Sequence, residues 1–322
     1  MCSEPSRNYT CATLVTLDDI RAAVPRIRPI IRRTPVLEVG GLYLKCENLQ
    51  VTGAFKIRGA ANMLALMPAA DRAAGVITYS SGNHGQAMTC AAAYHRTRAV
   101  VVMPETAAAV KVEAVKRLGG EVIFAGTTST DRRVRAEAEA AARGLTMVPP
   151  FDHPWIIAGA GTTGLEILEQ CPQVTTVFVP MGGGGQIAGV SAAIKQMRSG
   201  VRIVGVEPAG AARMAASLAA GHPVTLPRTE SIADGLLTLR PGDVPFEHIR
   251  AYVDEVVAIT DEEIVTAVRW LFREAHLVAE PSGAAAVAAA RRRQATAGTR
   301  EGIVAIVSGG NVDAAQYAGY LL

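Results

Sequence analysis

Short apolar, β-branched runs alternate along this chain with Ala-rich stretches of helical character. Residues 75–79, 99–103 and 121–124 read as strands, the second closed by Pro104. Residues 86–95, 110–118 and 131–143 read as the intervening helices, the middle one stopped by Gly119-Gly120. Further strands are predicted at residues 176–179, 202–206 and 303–307. Upstream, Thr16 followed by Leu17, Asp18 and Asp19 has the oxygen cap and first-turn acids of a helix start. The preceding ten or so polar residues are expected to fray. Strands that are apolar throughout have both faces buried, so the pattern predicts an α/β fold with parallel sheets covered by helices. Residues 71–150 form a strand–helix series of their own, ended by Pro149-Pro150. They are expected to be a small α/β domain inserted into a larger one made of residues 1–70 and 151–322.

Composition narrows the function. The chain has 322 residues, 49% apolar and 19% charged, which suffices for one large or two medium domains. A net charge of +3, scattered basic residues and 5% aromatics argue against nucleic acid. Five cysteines without a C-x-x-C pair give neither a disulfide framework nor a zinc site, and fit a reducing cytoplasm. No signal-peptide core and no run long enough to span a membrane is read from the sequence.

Four segments carry chemistry. Lys56 lies in Thr52-Gly53-Ala54-Phe55-Lys56-Ile57, between a small-residue turn and an apolar run. Most lysines at such turns are surface residues. An ammonium desolvated by apolar neighbours loses its proton more easily, and becomes a usable amine. Gly182, Gly183, Gly184 and Gly185, followed by Gln186, join a buried strand to a helix. Such a loop converges N–H groups on one point at a helix N-terminus, an anion or phosphate site. No Lys-Ser/Thr follows, which excludes a nucleoside-triphosphate P-loop. Ser80, Ser81, Gly82, Asn83 and His84 occupy another strand-to-helix turn, suited to a carboxylate, with the Asn83 amide available to a ring oxygen. His84 has no acid beside it to orient it, and receives no acid–base role. Ser308 ends the last strand, at the sheet edge where parallel α/β folds bind ligands. Phosphate cradle, activated lysine, carboxylate turn and hydroxyl together suit pyridoxal phosphate holding an amino acid.

The chain resembles the fold-type-II pyridoxal-phosphate enzymes of the threonine/serine dehydratase and serine racemase family. The likeness runs through Tyr43 to Gln50, Arg58-Gly59-Ala60, Ser80 to Gln86, the tetraglycine, Ile232-Ala233-Asp234-Gly235, Glu280-Pro281-Ser282-Gly283 and Ser308-Gly309-Gly310-Asn311. It implies a two-domain, tryptophan synthase β-like fold and these site roles. Lys56 forms the internal Schiff base and, once released, takes the Cα proton; Phe55 flanks the ring. Asn83 bonds the 3-oxygen, and Gly182 to Gly185 with Gln186 hold the phosphate. Gly235 and Glu280 lie beside the cofactor, and Ser308 faces the pyridine nitrogen. Ser80, Ser81, Gly82, Asn83 and His84 receive the substrate carboxylate. A neutral hydroxyl at the pyridine nitrogen makes a weaker electron sink than a carboxylate would, which favours β-elimination over transamination.

The implied activity is elimination of water from a β-hydroxy amino acid such as L-threonine or L-serine, giving a 2-oxo acid and ammonia. The alternatives are a serine racemase, with Ser81 as the second acid–base, or a dehydratase for a specialised substrate such as 3-hydroxyaspartate. The expected partners are an amino-acid substrate and a second copy in a homodimer, with no nucleic acid and no membrane. Three departures qualify the likeness. Glu207 matches a ligand of metal-dependent relatives, but Arg213 stands where they have an acid. No metal is therefore expected, and a pairing of Arg213 with Glu207 is expected in its place. Val51 replaces the lysine of nucleotide-activated racemases. The short stretch Glu38-Val39-Gly40-Gly41-Leu42 replaces a helix-bearing connection, and is expected to reshape a surface or subunit contact. The chain also stops soon after Asn311, so feedback through an appended regulatory domain is not expected.

Overall fold

The computed structural model describes residues 14–80, 82–107, 109–297 and 302–322. Its strands are β1 (Val36–Val39), β2 (Leu42–Cys46), β3 (Val76–Tyr79), β4 (Ala99–Met103), β5 (Glu121–Phe124), β6 (Thr146–Met147), β7 (Thr176–Pro180), β8 (Arg202–Pro208), β9 (Glu255–Ile259) and β10 (Ile303–Val307). They form a six-stranded sheet in the order β1-β2-β10-β7-β8-β9 and a four-stranded sheet in the order β5-β4-β3-β6. All pairings are parallel except β1 with β2. Every residue of β4 and β10 is buried, as their unbroken apolar sequences require.

Helix starts follow local chemistry. Thr16, Thr128 and Thr260 each accept an amide hydrogen bond from an acid three positions on, whose carboxylate accepts the cap residue's own N–H. These reciprocal bonds satisfy two donors that a helix terminus otherwise leaves open. One boundary differs from the sequence reading. The helix expected over 86–95 begins at Asn83, so the Asn83 turn is itself a helix N-terminus. The short 38–42 stretch is a hairpin in which β1 and β2 pair, with Leu42 and Leu44 buried. Gly40 and Gly41 have φ of +58° and +80°, the two positive angles that a tight two-residue turn demands.

The helix Lys56–Leu66 joins the two layers. Its Ile57, Ala60, Ala61 and Leu64 pack into one core with Val76, Ala87, Ala91 and Val101 of the four-stranded layer. Immediately before it, Ala54 pairs with Gly309, and the Phe55 amide donates to the Ser308 carbonyl at 3.0 Å, both beyond the end of β10. Among the described residues no helix is long and apolar enough to cross a membrane.

Candidate functional site

The Lys56 turn is fastened on both sides. Gly53, at φ +70°, donates to Gln50 and accepts from the Gly310 amide. Lys56 is the first residue of its helix, which has no side-chain cap. Its Nζ is half-buried, donates to the Pro150 carbonyl at 2.8 Å, and lies 5.2 Å from the Phe55 ring centre and 6.0 Å from that of Phe151. Burial pulls its pKa down from 10.5 to about 8. The positive potential of a helix N-terminus acts in the same direction.

The glycine loop leaves β7 and turns through Gly184, at φ +96°, into the helix Gly185–Met197. The first-turn amides of that helix have no intrahelical acceptor. Side chains are excluded here by close approach. A Cβ on Gly182 would sit 3.0 Å from the Gly235 carbonyl, and one on Gly183 would run into the Phe151 ring. On Gly185 it would lie 3.0 Å from Phe151 Cβ. The Gln186 Nε2 is buried at this turn without a hydrogen-bond partner. A bare backbone cradle with an unpaired amide beside it is a fitting receptor for phosphate oxygens.

The Asn83 side chain sits in a polar chain. Its Nδ2 donates to Glu280 Oε1 at 2.5 Å, and its Oδ1 accepts from Asn311 Nδ2 at 2.8 Å. Burial, reinforced by the charge of Asp234, raises the Glu280 carboxyl from 4.5 to about 7. Ser80 Oγ accepts the Gly82 amide at 3.1 Å. His84 is buried, and desolvation followed by the Lys56 charge pushes it down to about 3, so it stays neutral. Ser308 is buried with its Oγ 3.4 Å from the Ser282 carbonyl, while the Ser282 hydroxyl accepts the Gly235 amide at 2.9 Å. Ser81 lies outside the described residues.

The fold thus gathers Phe55, Lys56, Asn83, Gly182 to Gly185, Gly235, Glu280 and Ser308 into one connected neighbourhood. The expected Arg213–Glu207 pair is corrected. Glu207 accepts the amides of Met214 and Ala215, at 3.0 and 2.9 Å, whereas Arg213 donates to the carbonyls of Met181, Gly182 and Ala211. The reason is local. The carboxylate satisfies the open amides of the helix Arg213–Ala220, while the guanidinium reaches the carbonyl side of the glycine loop. Sequence reasoning also missed Phe151, although it directly follows Pro149-Pro150, and the ion pair of Lys111 with Asp234.

A family model described as pyridoxal-phosphate dependent enzyme matches residues 27–309. The chain belongs to this family. Among members of the pyridoxal-phosphate-dependent family, it is 41% identical over 308 residues to the L-threonine ammonia-lyase of Thermotoga maritima, covering 93% of this chain and 76% of that one. It is 40% identical over 309 residues to a serine racemase of Oryza sativa subsp. indica, covering 92% and 91%. The structure of maize serine racemase superposes with a TM-score of 0.90 at 38% identity, over 95% of this chain and 97% of that one. The family's cofactor suits the cradle, the unpaired Gln186 amide and the depressed lysine.

Proposed function

We propose that this protein is a pyridoxal-phosphate-dependent lyase that dehydrates a β-hydroxy amino acid, such as L-threonine or L-serine, to a 2-oxo acid and ammonia. Bound at this site, the cofactor supplies the carbonyl that condenses with the amino group and the electron sink that acidifies Cα. Lys56 would carry the cofactor, and Gly182 to Gly185 with Gln186 would hold its phosphate. Asn83, Glu280 and the Ser308 hydroxyl would hold its ring. Phe55 and Phe151 stand beside the amine, and its burial keeps it poised between ammonium and free base. The neutral amine can then take the Cα proton near neutral pH. The first-turn amides of the Asn83 helix, with Ser80, would orient the substrate carboxylate. His84, held neutral, adds no charge there.

The observation that carries this reading is the Lys56 amine, with a pKa of about 8, on a turn bonded directly to the Ser308 segment. Relatives named serine racemase favour a second reading, amino-acid racemisation at the same site, in which Ser81 would serve the other face. Incubation with L- and D-threonine, serine and 3-hydroxyaspartate, following oxo-acid release and chirality together, separates the two. Oxo acid is expected to dominate, and inversion without it would overturn the lyase reading. Lys56→Ala should lower kcat by about 10²–10⁴, and unchanged turnover would overturn the mechanism. The proposal extends to a small domain over 71–150, supported by the separate four-stranded sheet, to a cytoplasmic setting, which the free thiols Cys46, Cys90 and Cys171 suit, and to a homodimer.

A further inference from the structure

Arg213 is fully buried, yet no carboxylate lies within ion-pair distance of it among the described residues. Its guanidinium instead makes four hydrogen bonds to backbone carbonyls. Nε and Nη2 both donate to Gly182 O, at 3.1 and 2.8 Å; Nη2 also donates to Met181 O, and Nη1 to Ala211 O. Glu207, the acid whose field reaches it, has both oxygens engaged by backbone amides. Burial lowers the guanidinium pKa only to about 10, so it carries its charge at neutral pH.

We infer that Arg213 is a fixed cation built behind the glycine loop, a positioning residue that aims the loop's amides at the cofactor phosphate. In a trans peptide the C=O and the N–H point in opposite directions. Holding the carbonyls of Met181 and Gly182 against the guanidinium therefore turns the amides of Gly182 and Gly183 the other way. The planar fork fixes two successive peptides at once, which a lysine ammonium on a flexible stem does not. The charge has no direct ion-pair partner, and although Glu207 acts on it from a distance, part of its field remains for an anion on the far side of the loop. The inference rests on the reading that Gly182 to Gly185 hold the phosphate.

The test is cofactor binding to the cofactor-free protein, followed by absorbance titration and by the ³¹P resonance of the bound phosphate. Arg213→Ala should weaken pyridoxal phosphate binding by about 10- to 100-fold, the range for loss of charge-assisted hydrogen bonds. The ³¹P line should shift, and millimolar guanidinium should restore both. Arg213→Lys, which keeps the charge and fills the space, should fold and recover only part of the affinity. A lowered unfolding midpoint with unchanged affinity and ³¹P line in either variant would overturn the inference, leaving Arg213 a structural residue. Gly183→Val in the natural background tests the underlying reading separately. Full affinity there would remove the loop as the phosphate site, whereas lost affinity there with intact binding in the Arg213 variants would sink the inference alone.

Discussion

Lys56 and Glu280 are shifted in opposite senses by one cause, since burial disfavours the charged form of each. For Glu280 the consequence can be measured on the cofactor-free protein. With a folded pKa of about 7 against an ordinary 4.5, the native state keeps a proton between those values that the unfolded chain releases. Its contribution to stability is therefore full below pH 4.5 and is lost as pH rises through 7. Glu280→Gln still offers Asn83 an acceptor but cannot titrate. Denaturant titrations should show the natural protein losing stability relative to this variant between pH 4.5 and 7, and parallel curves would disprove the assignment. Lys56 could be singled out in the sequence because its small and apolar neighbours are adjacent residues. The Glu280 shift could not, because the groups around it include Asn83, 197 positions away.

At the level of elements, a buried charge cluster ties the lysine-bearing helix to its surroundings. Arg58, two residues after Lys56, donates to Glu47 after β2 and to Glu166 on the helix Pro154–Gln170, with bonds of 2.7–2.9 Å. Lys45 completes it through Glu166 and the Thr34 carbonyl, both at 2.6 Å. Two cations and two anions balance. Removing one member strands a charge in the interior, so Arg58→Met should cost about 3–5 kcal/mol in denaturant unfolding. Arg58→Met with Glu47→Met should recover part of that loss, and simple additivity of the two single changes would argue against coupling. Six of the ten strands among the described residues were legible from apolar runs and glycines, as were the helices Asn83–Tyr94, Ala109–Arg117, Ser129–Arg143 and Gly185–Met197 and, through its Thr16 cap, the first helix. β1, β6 and β9 were not, because short, partly exposed strands lack the continuous apolar signature of the buried parallel ones, and in β2 that signature is interrupted by the buried Lys45.

Across the whole molecule, the two layers meet again at the ion pair of Lys111, on the helix Ala109–Arg117, with Asp234, which bridges 123 positions that nothing in the local sequence connects. Lys111 lies so close to Gly82 that a Cβ there would be 3.0 Å from its Cδ, so its charge stands beside the proposed carboxylate turn. A partly exposed pair of this kind contributes about 1 kcal/mol or less. Lys111→Met should therefore raise the substrate KM by less than about tenfold with kcat nearly preserved. A fall in kcat at unchanged KM would show that the pair serves the chemical step instead. The attachment of Lys56 has a mechanical meaning as well. The turn before it is bonded to the six-stranded layer, while the helix it opens is embedded in the core of the four-stranded one. A displacement of one layer against the other is smallest where they share a short length of chain. The reactive amine therefore sits where the two layers are tied through one short length of chain, and the nitrogen that does the chemistry takes its place from both.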